Sequence, residues 1–250
     1  MSGATGRRTE KASERLALEI VQTIYETKMQ PGDQYLSEAE ALRVHGVARS
    51  TYREALRFLE IQGVVKVRIG PGGGPVICHP GWPHLASSVA LLLQFANAPM
   101  QSVMEARNAI VPGMAEMAAQ NAEEDDITAM ERDLAELSET VGNYKRYAVA
   151  YRRFWNHLAE STHNELLAFL WPALRSIVDS AGFVPNELYR METLTRLRVI
   201  HAAVAEHDAT AARDAMRNLE LEFLNRLTLG YPRQMQRVVA WSDLEVDRSA

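Results

Sequence analysis

Residues 37–68 read SEAEALRVHGVARSTYREALRFLEIQGVVKVR, and this stretch decides the fold. Ser37 followed three residues later by Glu40 is a capping box that opens a helix. That helix is short and stops near His45-Gly46. A second helix is expected over residues 49–62, with Tyr52, Leu56 and Leu59 as its buried stripe and Gly63 as its stop. Val64, Val65, Val67 and Ile69 are β-prone. Gly70–Pro75 forms a glycine-rich turn before Val76–Cys78, which predicts two short strands. Helix, turn, helix and a glycine-tipped hairpin, in that order, are the layout of a winged helix-turn-helix.

The second helix of such a unit places its N-terminal end in the DNA major groove. Arg49, Ser50 and Thr51 occupy that end, and Arg53 lies one turn on. An arginine fork matches the O6 and N7 acceptors of guanine, whereas a solvated basic face would carry no such order of motifs. Lys66 and Arg68 fall on the first strand of the hairpin, placed for backbone phosphates or the minor groove. Double-stranded operator DNA is therefore the expected partner.

Outward from this stretch the chain is all helical. Leu16, Ile20 and Ile24 recur on one face of a helix that Pro31-Gly32 ends. Residues 1–10 are polar and expected to be disordered. HPGWPH at residues 79–84 reads as a linker. Helices are expected near 85–97, 100–121, 124–141, 144–162, 164–181, 186–207 and 209–229, with a polar tail over 240–250. The expected fold is mainly α: a winged helix-turn-helix over 11–78, then a bundle of about six to seven helices over 85–233.

The 250-residue chain is 47% hydrophobic and 24% charged, with a net charge of −5. Residues 1–78 hold 11 Lys/Arg against 9 Asp/Glu, so a mildly basic head precedes an acidic body. That balance fits a local DNA contact and argues against a chain that coats nucleic acid throughout. Cys78 is the sole cysteine, which excludes an intrachain disulfide. The first residues lack a signal-peptide core, and no stretch nears the about 18 apolar residues of a membrane span. A cytoplasmic protein with no membrane association is the expectation. An enzyme is not: His157, His201, Glu105 and Asp208 form no nucleophile–base arrangement, and Gly72–Gly74 lacks the Lys-Ser/Thr of a phosphate loop.

PGD at 31–33, Ser37/Glu38/Glu40/Leu42, Val47/Arg49/Thr51 with Arg53–Arg57, and Leu59/Glu60/Gly63 together resemble the DNA-binding domain of the GntR superfamily. That family usually carries an arginine where this chain has Ala39 and a capping serine where it has Ala48. The resemblance implies a shifted operator or weaker binding, not loss of the fold. The body resembles the FCD domain of the FadR subfamily, through Glu105, Arg107, Ile110, Pro112, Ala115, Ala118, Ala119 and Ala122. A later run, Phe154, Leu158, Ala159, Glu160, Thr162, Asn164 and Leu167, also matches, and the resemblance spans about residues 11–230.

Many FCD relatives hold a divalent metal through one aspartate and three histidines. Laid on that pattern, the four positions are Tyr151, Trp155, Leu197 and Leu219, so the resemblance implies a metal-free, apolar pocket with no cofactor. Arg107 is expected to point into it and meet an effector carboxylate, with Tyr151, Trp155, Tyr189, Leu197, Leu219 and His201 around the ligand. An internal salt bridge from Arg107 to a glutamate is the competing reading. The resemblance thus implies a homodimeric regulator, a repressor reading an inverted repeat and released by a sizeable apolar molecule with one acidic end, such as a fatty acyl thioester (acyl-CoA-type), an aromatic acid or a polycyclic acid. The alternative is an effector-independent regulator whose sensor cavity the large side chains fill.

Overall fold

The computed structural model describes residues 3–70 and 73–244, with side chains from residue 12 onward. It divides into two compact units, Met1–His84 and Leu85–Ala250. The first holds α1 (Gly3–Glu26), α2 (Glu38–His45), α3 (Arg49–Ile61), β1 (Val65–Arg68) and β2 (Gly74–Ile77). Helix α1 begins at Gly3, so most of the stretch expected to be disordered is helical; residues 1 and 2 lie outside the described residues.

The capping box is present in full. The Ser37 hydroxyl accepts from the Glu40 backbone N–H, and the Glu40 carboxylate accepts from the Ser37 N–H at 3.1 Å. Gly46 ends α2 in the left-handed region, with φ of 63°. Gly63 ends the turn after α3 with φ of 73°, and a Cβ there would also collide with the His84 ring. Only glycine meets both conditions without strain. Leu16, Ile20, Ile24, Tyr35, Tyr52, Leu56, Leu59, Val65 and Ile77 close one apolar core.

β1 and β2 pair antiparallel with Val65 opposite Ile77 and Arg68 opposite Gly74. The Val67 N–H donates to the Glu60 carboxylate at 3.0 Å, which ties the hairpin back to α3. Tip residues 71 and 72, part of the expected glycine turn, lie outside the described residues.

Seven long helices follow: α4 (Trp82–Phe95), α5 (Met100–Asn121), α6 (Glu124–Thr140), α7 (Tyr144–Glu160), α8 (Glu165–Asp179), α9 (Glu187–Ala205) and α10 (Ala209–Gly230). α4 starts inside the stretch read as a linker. Pro83 sits in its first turn, where a missing N–H breaks no helical hydrogen bond. Asn143, Asn164, Asn186 and Asp208 cap α7 to α10 through side-chain oxygens, which is why the chain breaks where it does.

α5 packs on α7, α8, α9 and α10 around a core of Val111, Met114, Phe154, Trp155, Leu197, Ile200, Met216 and Leu219. A short α11 (Pro232–Gln236) follows. The expected polar tail is partly structural: Val239 and Leu244 are buried with α4 residues, and the Trp241 indole donates to Ser87 at 2.7 Å. Residues 245–250 lie outside the described residues. No helix among the described residues is long and apolar enough to cross a membrane.

Candidate functional site: a recognition helix and an aromatic cavity

α3 lacks a side-chain cap, because Ala48 has no acceptor to offer its first N–H groups. Arg49 and Arg53 stand out from its first two turns, with side chains 69% and 67% exposed, so both are open to a large partner. Ser50, Lys66 and Arg68 are exposed as well. Thr51 is not: it is buried against the domain core, because helical geometry turns it to the same side as Tyr52 and Ala55. Direct contact with a base by Thr51 is therefore corrected to a packing role.

Both arginines lean on one carboxylate. Arg49 Nε meets Glu38 Oε1 at 2.6 Å, and Arg53 donates to Glu38 Oε2 at 3.2 and 3.1 Å. Sequence reading missed Glu38 as their common partner. Its position as the first residue of α2, facing α3 across the turn, was the available signal.

In the second unit Arg107 is buried and makes a two-pronged ion pair with buried Glu220: Nε to Oε2 and Nη2 to Oε1, both 2.7 Å. Its guanidinium carbon lies 5.4, 4.8 and 5.0 Å from the ring centres of Trp155, Trp171 and Phe223. Burial by itself pulls the guanidinium pKa down, but the Glu220 carboxylate outweighs it and the net shift is upward. Arg107 is thus a charged, neutralised anchor of the α5–α10 contact. The internal salt bridge is the reading that holds, and its partner is one residue beyond Leu219.

A cavity of about 370 Å³ opens beside that pair. Arg107, Tyr151 and Trp171 line it, and Tyr147, Tyr189 and Phe223 contribute aromatic wall. Burial pushes the Tyr147, Tyr151 and Tyr189 phenols above the ordinary tyrosine value, so each is neutral at physiological pH. Arg152, Arg175, Arg190 and Arg226 also line it, with Asp179.

Of the side chains expected around a ligand, Arg107, Tyr151 and Tyr189 line this cavity, and Trp155, Leu197, Leu219 and His201 do not. Trp155 is fully buried behind it, stacked on Trp171 with ring centres 4.6 Å apart. Leu197 and Leu219 belong to the bundle core. His201 instead pairs its Nε2 with the Ile127 carbonyl at 3.1 Å. These four are corrected from ligand contacts to packing groups: apolar bulk at the centre of a bundle is held in the core, and the open space shifts toward the α8–α9 connection.

The metal pattern of the FCD domain does not fit either. Trp155, Leu197 and Leu219 offer no ligand oxygen, sulfur or imidazole, and a neutral, buried tyrosine is a poor donor. No group of three or more His, Cys, Asp or Glu side chains is suited to hold a metal among the described residues. The candidate catalytic groups are each held in separate hydrogen bonds. His157 pairs with Asp133 at 2.6 Å, Glu105 accepts from Gln101, and Asp208 caps α10.

The FCD domain family model matches residues 102–221. The chain is 32% identical over 213 residues to the Uxu operon transcriptional regulator of Escherichia coli (strain K12), covering 77% of each protein. It is 23% identical over 209 residues to the galactonate operon transcriptional repressor of the same organism, covering 81% of this chain and 91% of that one. Among solved structures, Streptococcus agalactiae GntR superposes with a TM-score of 0.69 at 23% identity, over 85% of this chain and 99% of its own, and so shares the fold. These relatives are regulators and not enzymes. An arginine-bearing winged helix-turn-helix, a helical FCD domain and this similarity lead to one conclusion: the chain belongs to the GntR superfamily of transcriptional regulators and carries an FCD domain.

Proposed function

We propose that this regulator is a homodimeric repressor that reads an inverted repeat and leaves it when a compact apolar acid enters the FCD cavity. Residues 11–78 form the DNA-reading part and residues 85–233 the sensing part. Arg49 and Arg53 act in the major groove with Ser50 beside them, and Lys66 and Arg68 act on the flanking backbone. Repression accords with the relative named a galactonate operon repressor.

The observation that carries the sensing half is the cavity of about 370 Å³, walled by aromatic rings and arginines. Small-molecule sites span about 300–1,000 Å³, so this one suits a compact ring or short-chain acid better than a whole coenzyme A thioester. Large side chains do fill the centre of the bundle, as the effector-independent reading requires. They leave open space next to it, which favours a working sensor.

For an acid to release DNA it must bind the DNA-free arrangement more tightly than the DNA-bound one. The test is to select an operator from random duplex DNA and then titrate compact aromatic and aliphatic acids against the complex. Release at acid concentrations that leave an unrelated DNA-binding protein bound is the expected result. Operator affinity indifferent to every acid would overturn the sensing half and leave the DNA-reading half standing. Sedimentation should show two chains per operator; one chain per operator would overturn the dimer.

A further inference from the structure

The cavity has a specific place for the acid, and it is not Arg107. Glu220 already neutralises that guanidinium and occupies two of its N–H donors. A second carboxylate beside Arg107 would meet Glu220 as well, and two like charges in a buried site repel strongly. The other cavity arginines differ in what they have left to give. Arg190 donates to the carbonyls of Val141 and Pro185 at 2.7 and 2.6 Å. Arg226 donates to Glu192 and Glu222.

Arg175 on α8 is the exception. Its side chain is 9% exposed, yet its Nε has no hydrogen-bond partner, and Nη1 reaches Asp179 only at 3.3 Å. Arg152 shares the same Asp179 oxygen at 3.5 Å, so two guanidiniums stand against one carboxylate. Burial lowers the Arg175 pKa from its ordinary value, which Asp179 only partly opposes. One turn before Arg175 on the same helix, Trp171 also lines the cavity, is buried, and keeps an indole N–H with no partner. Residues four apart lie on one helix face, so α8 sets two unpartnered donors, and a positive charge that Asp179 only partly offsets, along the same cavity. Buried donors are rarely left unpaired, and a site that leaves two of them open is suited to an acceptor from outside the chain.

We infer that the effector is a compact monocarboxylate with a flat or aliphatic body, anchored by its carboxylate on Arg175 with the Trp171 indole N–H as second donor. Its body lies against the aromatic wall of Tyr151, Tyr189 and Phe223. This rests on the proposed sensing role of the cavity. A carboxylate accepting from an arginine gains a charge-assisted bond, whereas the matching neutral amide gains an ordinary one. The site therefore distinguishes an acid from its amide of equal shape.

The experiment is calorimetric titration of the full chain with 2-naphthoate and 2-naphthamide, and with octanoate and octanamide. Wild-type protein should bind at least one acid about tenfold or more tightly than its amide, a margin of about 1.4 kcal/mol or more. Arg175→Gln should abolish the acid-over-amide preference, and Arg175→Lys should keep part of it because it retains charge without the guanidinium fork. Trp171→Phe should reduce the preference a few fold while the ring remains. It carries the test if circular dichroism shows that the Arg175 variants do not fold. An acid preference unchanged by Arg175→Gln and by Trp171→Phe would overturn this anchor and leave the cavity's sensing role intact. Wild-type protein that binds neither acids nor amides would overturn both together.

Discussion

Arg107 shows how one side chain can keep its place and change its meaning. A buried charge with a single partner is poorly replaced by anything smaller, since its partner is then stranded. Arg107→Ala should lower stability by about 3–5 kcal/mol through the uncompensated Glu220 carboxylate, measured by urea denaturation. A paired change, Arg107→Met with Glu220→Leu, should cost less than Arg107→Ala alone. At the other end of the chain, Arg49→Ala should weaken operator binding by about 1–3 kcal/mol and relax the choice of one base pair, read by competition with single-base operator variants. Glu38 holds both Arg49 and Arg53, so those arginines reach DNA only by sharing or leaving that carboxylate. Glu38→Gln should raise affinity for random duplex DNA more than for the operator, because it removes a negative charge and frees two positioned arginines. Fluorescence anisotropy on both duplexes checks this.

Elements in this chain are set by their ends. α2 has a complete capping box, whereas α3 has none: Ala48 adopts φ −72° and ψ 152°, a geometry in which a serine would cap. Ala48→Ser should therefore stabilise the first unit by about 1 kcal/mol in urea denaturation. The box on α2 also has a pH signature. Hydrogen bonds from the Ser37 hydroxyl and then from its backbone N–H hold the Glu40 carboxyl below its ordinary value of 4.5. A depressed folded-state pKa contributes stability that is present above 4.5 and lost as pH falls through the lower folded value. Glu40→Gln should flatten that part of the acid limb of a stability–pH profile. Helix interiors follow another logic. Pro112 and Pro172 lie inside α5 and α8, where local rules predict a break, and both are buried. Packing on either side keeps each helix running past its lost hydrogen bond.

For the whole molecule, a basic head on an acidic body limits where DNA can be held. Binding should weaken steeply with salt, and Arg68→Ala should reduce the slope by about one counterion per site if that arginine meets a phosphate, as measured by titrations from low to physiological salt. The winged helix-turn-helix and the seven long helices were legible in the sequence. Capping residues, glycine stops and apolar periodicity are local signals, and each acts within a few residues of its cause. Ser37 and Glu40, Gly46, Gly63 and the cap residues Asn143 and Asp208 all announced element ends that the structure contains.

The cavity was not legible in the same way. Arg107 and Tyr151 line the cavity, whereas Trp155, Leu197, Leu219 and His201, placed around it from a pattern of positions, do not. Whether a large apolar side chain fills a bundle or lines an opening depends on what faces it from other helices. Glu220 lies 113 residues from Arg107, and no periodicity links them. By itself the sequence determined the order of helices and strands and the arginines at the head of α3. Only the tertiary structure decided that Glu220 neutralises Arg107, that Glu38 holds both recognition arginines, and that Arg175 and Trp171 keep donors open. The physical reason is that charge pairing and empty space are set between elements distant in sequence, whereas caps and helical faces are set within one.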